Sequence, residues 1–215
     1  DAAIVVVGRP GGENGDGYYP GQDGLADGVN TVTGDILSLS DEEMALVNEA
    51  KANFSKVIVL VNSTNPMEIA NLQDDPDIDA IMWIGYPGGY GMTGVANVLA
   101  GKADPSGRLA DTYATDSLSS PAIQNSGNRR FTNLNTLYKN KFTVYAEGIY
   151  VGYKYYETRY QDLILGVNNA DGSAGTFASS GDEWNYADEM AFTFGSGGSY
   201  ADFTQALTGF EWDRE

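Results

Sequence analysis

Cysteine and histidine are both absent from the 215 residues. Without a thiol there is no thiolate nucleophile, no disulfide and no iron–sulfur ligand; without an imidazole there is no histidine base and no zinc site of the usual kind. A Ser-His-Asp triad or a Cys-His pair cannot be assembled within the chain, so any catalysis rests on carboxylates, Tyr, Lys, Arg or hydroxyls. Positive charge is scarce as well: 12 Lys plus Arg stand against 30 Asp plus Glu, a net charge of −18. Such a field repels phosphate backbones and anionic headgroups, which argues against nucleic acid and membrane surfaces as partners. No run of about 18 apolar residues occurs, and no basic-then-apolar leader opens the chain. It begins instead on Asp1-Ala2-Ala3-Ile4-Val5-Val6-Val7, which reads as the middle of a fold and hence as a fragment or an excised domain. With 42% hydrophobic residues, the length suits one large domain, or at most two small ones, with a real core.

Three short apolar runs carry the fold signal. Residues 2–7 are continuous, β-branched and closed by Gly8, the form of a strand buried on both faces of a parallel sheet. Residues 56–62 and 79–85 repeat that form. Between the first two lies a helix start: Ser40-Asp41-Glu42-Glu43 is a capping box, with Leu39 and Met44 placed for a hydrophobic staple. Met44, Val47 and Phe54, with Leu46 and Ala50 beside them, form its apolar face over about 13 residues. A second helix is expected over residues 92–100, with Val95, Val98 and Leu99 inward and Gly101 ending it. The alternation of strands and helices predicts an α/β fold with a mostly parallel sheet and right-handed crossovers. Beyond Gly107 the character changes. The Tyr-dense residues 142–160 alternate and read as extended strands, and residues 168–181 read as a Gly/Ser/Asn loop.

Four groups of residues invite a functional reading. The glycine-rich segment after the first strand, Gly8-Arg9-Pro10-Gly11-Gly12-Glu13-Asn14-Gly15-Asp16-Gly17-Tyr18-Tyr19, leaves the carboxyl end of a strand, where open α/β sheets bind ligands. Glu13 and Asp16 are thus placed for function, while Asp-Gly and Asn-Gly pairs equally suit a solvated acidic turn. Asp23 and Asp27 lie nearby, but their spacing does not match a calcium loop of the EF-hand kind. Gly89, Gly91 and Gly94 form a G-x-G-x-x-G, the dinucleotide-binding spacing, yet Asp111 is a poor acidic partner, and a tight turn packing helix on sheet explains them as well. Tyr145, Tyr150, Tyr153, Tyr155, Tyr156 and Tyr160 offer a sugar-stacking platform or, by alternation, core packing for about half of them. Glu147, Glu157 and Arg159 among them read as paired charges.

Taken in order, several motifs resemble one family. They are Ala3-Ile4-Val5-Val6-Val7-Gly8-Arg9 with Gly12-Glu13, Leu37-Ser38-Leu39-Ser40, Asn65-Pro66-Met67-Glu68 and Trp83-Ile84-Gly85-Tyr86-Pro87-Gly88. Residues 98–109, ending Asp104-Pro105-Ser106-Gly107-Arg108-Leu109, follow, then Glu147-Gly148-Ile149-Tyr150-Val151-Gly152-Tyr153-Lys154-Tyr155-Tyr156 and residues 192–200. The set resembles the C-terminal α/β sandwich domain of glycoside hydrolase family 3, the β-glucosidases and their relatives. That resemblance implies a flavodoxin-like α/β sandwich over residues 1–203, with residues 204–215 starting a linker toward a fibronectin-like domain. It implies a retaining exo-glycosidase whose Asp nucleophile comes from a separate barrel domain or, as the alternative, a non-catalytic carbohydrate-binding or packing module that keeps the fold without the acid. No barrel fits in this chain, because a (β/α)8 unit needs about 250 residues. By resemblance the general acid/base is Glu13, with Asn14 standing where the family's loop usually has Gly, and Asp16 and Tyr18 are candidates for substrate contact. The implied partners are a β-glucoside or oligosaccharide and the barrel domain, and no cofactor or metal is expected. The protein is expected to be bacterial, cytoplasmic or secreted.

Overall fold

The computed structural model describes residues 1–9, 37–125, 129–130, 141–142, 144–170, 183–204 and 206–213. Strand β1 (Ala3–Gly8), helix α1 (Asp41–Asn53), β2 (Val57–Asn62), the short α2 (Ala70–Gln73), β3 (Ala80–Trp83) and α3 (Gly88–Leu99) follow one another. The three strands form a parallel sheet in the order β1-β2-β3, with Val5 opposite Val59 and Val59 opposite Ile81. Among the described residues no barrel closes: the architecture is α/β, and its largest sheet is parallel.

Helix α1 starts where its residues dictate. Ser40 Oγ accepts from the Glu43 amide at 3.3 Å, and Glu43 Oε2 accepts from the Ser40 amide at 2.8 Å, so the predicted capping box is formed. Its inward residues are Val47 and Ala50, with Met44 packed beside them, whereas Leu46 and Phe54 remain exposed. The helix lies on β1 and β2. The shared core joins Val5, Val7, Val57, Val59 and Val61 to Met67, Ile69, Leu72 and Tyr113. Each fully buried aliphatic side chain there contributes about 1.5–3 kcal/mol relative to leaving it in water.

Three expectations are corrected. Strand β1 is not buried on both faces: Ile4 and Val6 are each 52% exposed, and among the described residues β2 takes the centre of the sheet and β1 an edge. Helix α3 begins four residues earlier than its periodicity suggests and buries none of its residues fully; Val95, Val98 and Leu99 are only half-buried. Gly101 does close it, with φ +66 and its amide on the Val98 carbonyl at 2.9 Å.

The largest correction is α5 (Tyr153–Leu165), a 13-residue helix where alternating tyrosines suggested strands. Before it come β4 (Tyr113–Ala114), a 3-10 turn at Ser117–Ser119, α4 (Pro121–Asn125), β5 (Arg129–Arg130) and β6 (Lys141–Phe142). After it come α6 (Tyr186–Glu189) and β7 (Met190–Phe192). Two antiparallel pairs, β4 with β7 and β5 with β6, complete the described sheets. The reason for the helix is tertiary. Tyr155 and Tyr156, adjacent in sequence, are both buried in a second core with Ala114, Ala170 and Met190, which a strand's alternation forbids. The helix starts on a borrowed acceptor, the Asp111 carboxylate, which takes the Tyr153 amide at 2.8 Å. Gly152 permits that approach: its φ is +54, and a Cβ there would stand 2.7 Å from Asp111 Oδ1. Arg159 lies over the Trp184 ring at 4.6 Å and donates to the Tyr155 hydroxyl, and Glu157 accepts from Tyr186 at 2.5 Å.

Candidate active site

The parallel strands end side by side, and their carboxyl ends are tied together by polar contacts. The Arg9 amide donates to the Asn62 carbonyl at 3.1 Å, joining the end of β1 to that of β2. Asn62 Nδ2 donates to the Gly85 carbonyl, and Trp83 Nε1 donates to the Ser63 carbonyl at 2.6 Å, joining β2 to the turn after β3. Tyr86 Oη then reaches back to the Arg9 carbonyl at 2.6 Å. Ser63, fully buried, forms a closed local turn with Asn65 through two 3.0 Å hydrogen bonds.

The Arg9 side chain crosses the opening of this row. Its Nη1 donates to Glu43 Oε1, while Nη2 donates to Glu43 Oε2 at 2.6 Å and to the Ser38 carbonyl at 2.7 Å. This is the two-pronged guanidinium–carboxylate geometry that fixes direction as well as distance. Sequence reading gave Glu43 only its capping role. Nothing local signals a partner 34 residues away, although an arginine at a strand end beside an acidic helix start is the pattern to look for. The chain returning to Ser38 is itself fixed: Glu68 donates its amide to the Leu37 carbonyl at 2.9 Å, and its carboxylate accepts from the Ser117 amide at 2.7 Å.

Glu13, Asp16 and Tyr18 lie outside the described residues, as do Asp23 and Asp27. Their segment, residues 10–36, leaves from Arg9 and returns at Leu37. The G-x-G-x-x-G residues lie elsewhere: Gly89, Gly91 and Gly94 are inside α3, and the Gly91 amide is spent on the Pro87 carbonyl at 2.9 Å. A phosphate cradle needs amides free ahead of the helix, so this geometry does not support a dinucleotide site. Gly91 also does not serve to pack helix on sheet; a Cβ there would stand 2.8 Å from the Pro87 side chain. Of the tyrosines, Tyr155 and Tyr156 are core, and burial pushes the Tyr156 hydroxyl's pKa up, leaving it neutral beside Ser119 Oγ at 3.1 Å. Tyr153 stacks on Phe194 with ring centroids 4.1 Å apart, while Tyr145 and Tyr160 are exposed. They do not form one platform. Among the described residues no group of three or more acidic side chains is arranged to hold a metal ion.

Comparison with known proteins agrees with this architecture. Residues 1–153 match the glycosyl hydrolase family 3 C-terminal domain. A β-glucosidase of Ruminococcus albus is 32% identical over 164 residues, which is 76% of this chain and 15% of that protein. β-Glucosidase A of Butyrivibrio fibrisolvens is 30% identical over 168 residues, 74% of this chain and 19% of its own length. This chain therefore spans less than a fifth of either relative. The crystal structure of a β-glucosidase from Paenibacillus barengoltzii superposes with a TM-score of 0.66 at 28% identity, covering 97% of this chain and 17% of that one. A Chaetomium thermophilum β-glucosidase, 21% identical with a TM-score of 0.50 over 82% of this chain, shares the fold. With the parallel sheet, the capping box and these matches together, the chain belongs to glycosyl hydrolase family 3, as a C-terminal α/β domain of the kind found in its β-glucosidases.

Proposed function

We propose that this chain is one domain of a retaining exo-hydrolase acting on β-glucosides or their oligosaccharides, and that Glu13 is its general acid/base. The observation that carries the reading is the departure of a Gly-Gly-Glu segment from the carboxyl end of β1, in a chain of this family. In this reading residues 1–203 form the domain and residues 204–215 lead toward a further one. A separate barrel supplies the Asp nucleophile, and Asp16 and Tyr18 contact the sugar.

The chemistry is that of two carboxyl groups. Glu13, protonated, gives its proton to the glycosidic oxygen while the nucleophile's carboxylate attacks the anomeric carbon and the alcohol leaves. Glu13, now ionised, takes a proton from water as that water's oxygen attacks the same carbon, which frees the nucleophile and restores the acid. Water is the sole co-reactant, so the reaction needs no cofactor. Without the nucleophile, the isolated 215-residue chain does not turn over an aryl β-glucoside.

The test is Glu13→Gln in the complete enzyme. A substrate with a poor leaving group should lose about 10²–10⁴-fold in kcat/KM, while an activated aryl glucoside still forms the glycosyl-enzyme. Azide, which attacks without base assistance, should then restore turnover and yield the β-glycosyl azide. Equal losses for both substrates with no azide rescue move the role to another carboxylate, Asp16 first.

A further inference from the structure

From Ala80 to Gly101 the chain holds no Asp, Glu, Lys or Arg, although it carries 30 acidic and 12 basic residues in all. That stretch runs from β3 through its connection into α3, and it exposes three aromatic side chains: Trp83 is 44% exposed, Tyr86 48% and Tyr90 95%. Trp83 is the last residue of β3 and Tyr90 lies in the first turn of α3. All three therefore stand at the carboxyl end of the parallel sheet, the end at which open α/β sheets bind ligands.

Two of these rings are held the opposite way from an ordinary surface aromatic. Tyr and Trp commonly bury the ring and leave the polar tip to water. Here the tips are tied to backbone, Trp83 Nε1 to the Ser63 carbonyl and Tyr86 Oη to the Arg9 carbonyl, each at 2.6 Å, while about half of each residue stays in solvent. Gly85, with φ +52, lies against the Trp83 ring, and a Cβ there would stand 3.3 Å from Cζ2. Rings anchored in this way lose little further freedom when a ligand covers them. Resting on the reading of the chain as part of a β-glucoside hydrolase, we infer that Trp83, Tyr86 and Tyr90 form a sugar-stacking surface for the further glucosyl units of an oligosaccharide substrate. The C–H face of a pyranose is apolar and uncharged, and it lies flat on an aromatic ring while its hydroxyls stay at the rim. A charge-free surface in an acidic protein suits that neutral ligand rather than a charged partner. The inference makes no use of where Glu13 lies; it needs only that the substrate's chain crosses this end of the sheet.

The experiment compares the complete enzyme with its Tyr90→Ala and Tyr90→Phe variants on β-glucosyl fluoride, cellotetraose and laminaritetraose, and records the Tm of each. Tyr90 is the position to change because its ring is 95% exposed, so the fold of this domain loses almost no packing with it. Tyr90→Ala should raise KM about 3–10-fold for whichever tetraose the parent hydrolyses. On the fluoride, which carries no second sugar to lay on the patch, the loss should be less than about twofold. Tyr90→Phe keeps the ring and should retain most of the parent's affinity for the tetraose. An unchanged tetraose KM, an equal loss on the fluoride, or a Tyr90→Phe enzyme as weak as Tyr90→Ala overturns the inference and leaves the proposed function standing. A lowered Tm with an unchanged KM assigns the patch to packing against another domain and overturns it too. A parent enzyme that hydrolyses none of the three substrates overturns the proposed function and this inference with it.

Discussion

The parallel half, residues 3–99, and the tyrosine-rich half around α5 are held together by different means. The first buries β-branched aliphatics whose neighbours in sequence are also their neighbours in the strand, and its helix α1 is started by its own residues Ser40 and Glu43. The second buries Tyr155 and Tyr156 against Ala114 and Met190, with polar tips answered by Ser119 and Arg159, and its helix is started by Asp111, 42 residues upstream. Local chemistry starts the helix of the one; a long-range contact starts the helix of the other. Three tests probe that difference.

The largest effect is expected from Tyr155→Ala. The ring is almost completely buried, and removing it should cost about 3–5 kcal/mol, as for other large aromatics in cores. Hydrogen exchange should show α5 and β7 losing protection first while β1 and β2 keep theirs. Uniform loss across both halves would make them one cooperative unit and dissolve the distinction.

A smaller contrast compares the two helix starts. Asp111→Ala removes the acceptor of the Thr112 and Tyr153 amides and should cost about 1–2 kcal/mol, against about 1 kcal/mol for Ser40→Ala, both read from chemical denaturation. Gly152→Ala should follow Asp111→Ala, because its new methyl displaces the same carboxylate. If Ser40→Ala is the more damaging of the first two, local chemistry governs both halves.

The smallest effect is a pH dependence at the far end of α5. Burial alone would raise the Asp162 pKa, but hydrogen bonds from the Ala170 amide and from both nitrogens of Asn169, at 2.7–2.8 Å, outweigh it and hold the carboxyl below the usual carboxylate range. A pKa lowered on folding contributes stability above the unfolded value of about 3.9 and loses it as pH falls through the native one. The Tm gap between the parent and Asp162→Asn should therefore be open at neutral pH and close in strong acid. A gap that widens in acid reverses the sign and removes the assignment.

The same contrast explains what could be read in advance. Strands β1 to β3 and α1 were legible because continuous apolar runs and a capping box are local patterns. What could not be read was the strand order, which among the described residues places β1 at an edge, and the exposure of Ile4 and Val6. Helix α5 was misread because tyrosine favours strands and because Gly152, an ordinary turn residue in sequence, is shaped by the distant Asp111. At the candidate site the glycine-rich segment with Glu13 and Asp16 stood out by its place after β1, and the family resemblance chose Glu13, whereas the Arg9–Glu43 pair spans 34 residues and exists only once the strand ends meet the start of α1.

The central claim is that Glu13 faces a nucleophile supplied by another domain. A crystal structure of the complete enzyme with glucose bound measures it directly. The account predicts the Glu13 carboxyl about 5–5.5 Å from the barrel's nucleophilic carboxylate, across the anomeric carbon, as a retaining mechanism requires. Asp16 or another carboxylate at that distance, with Glu13 turned away, would contradict it.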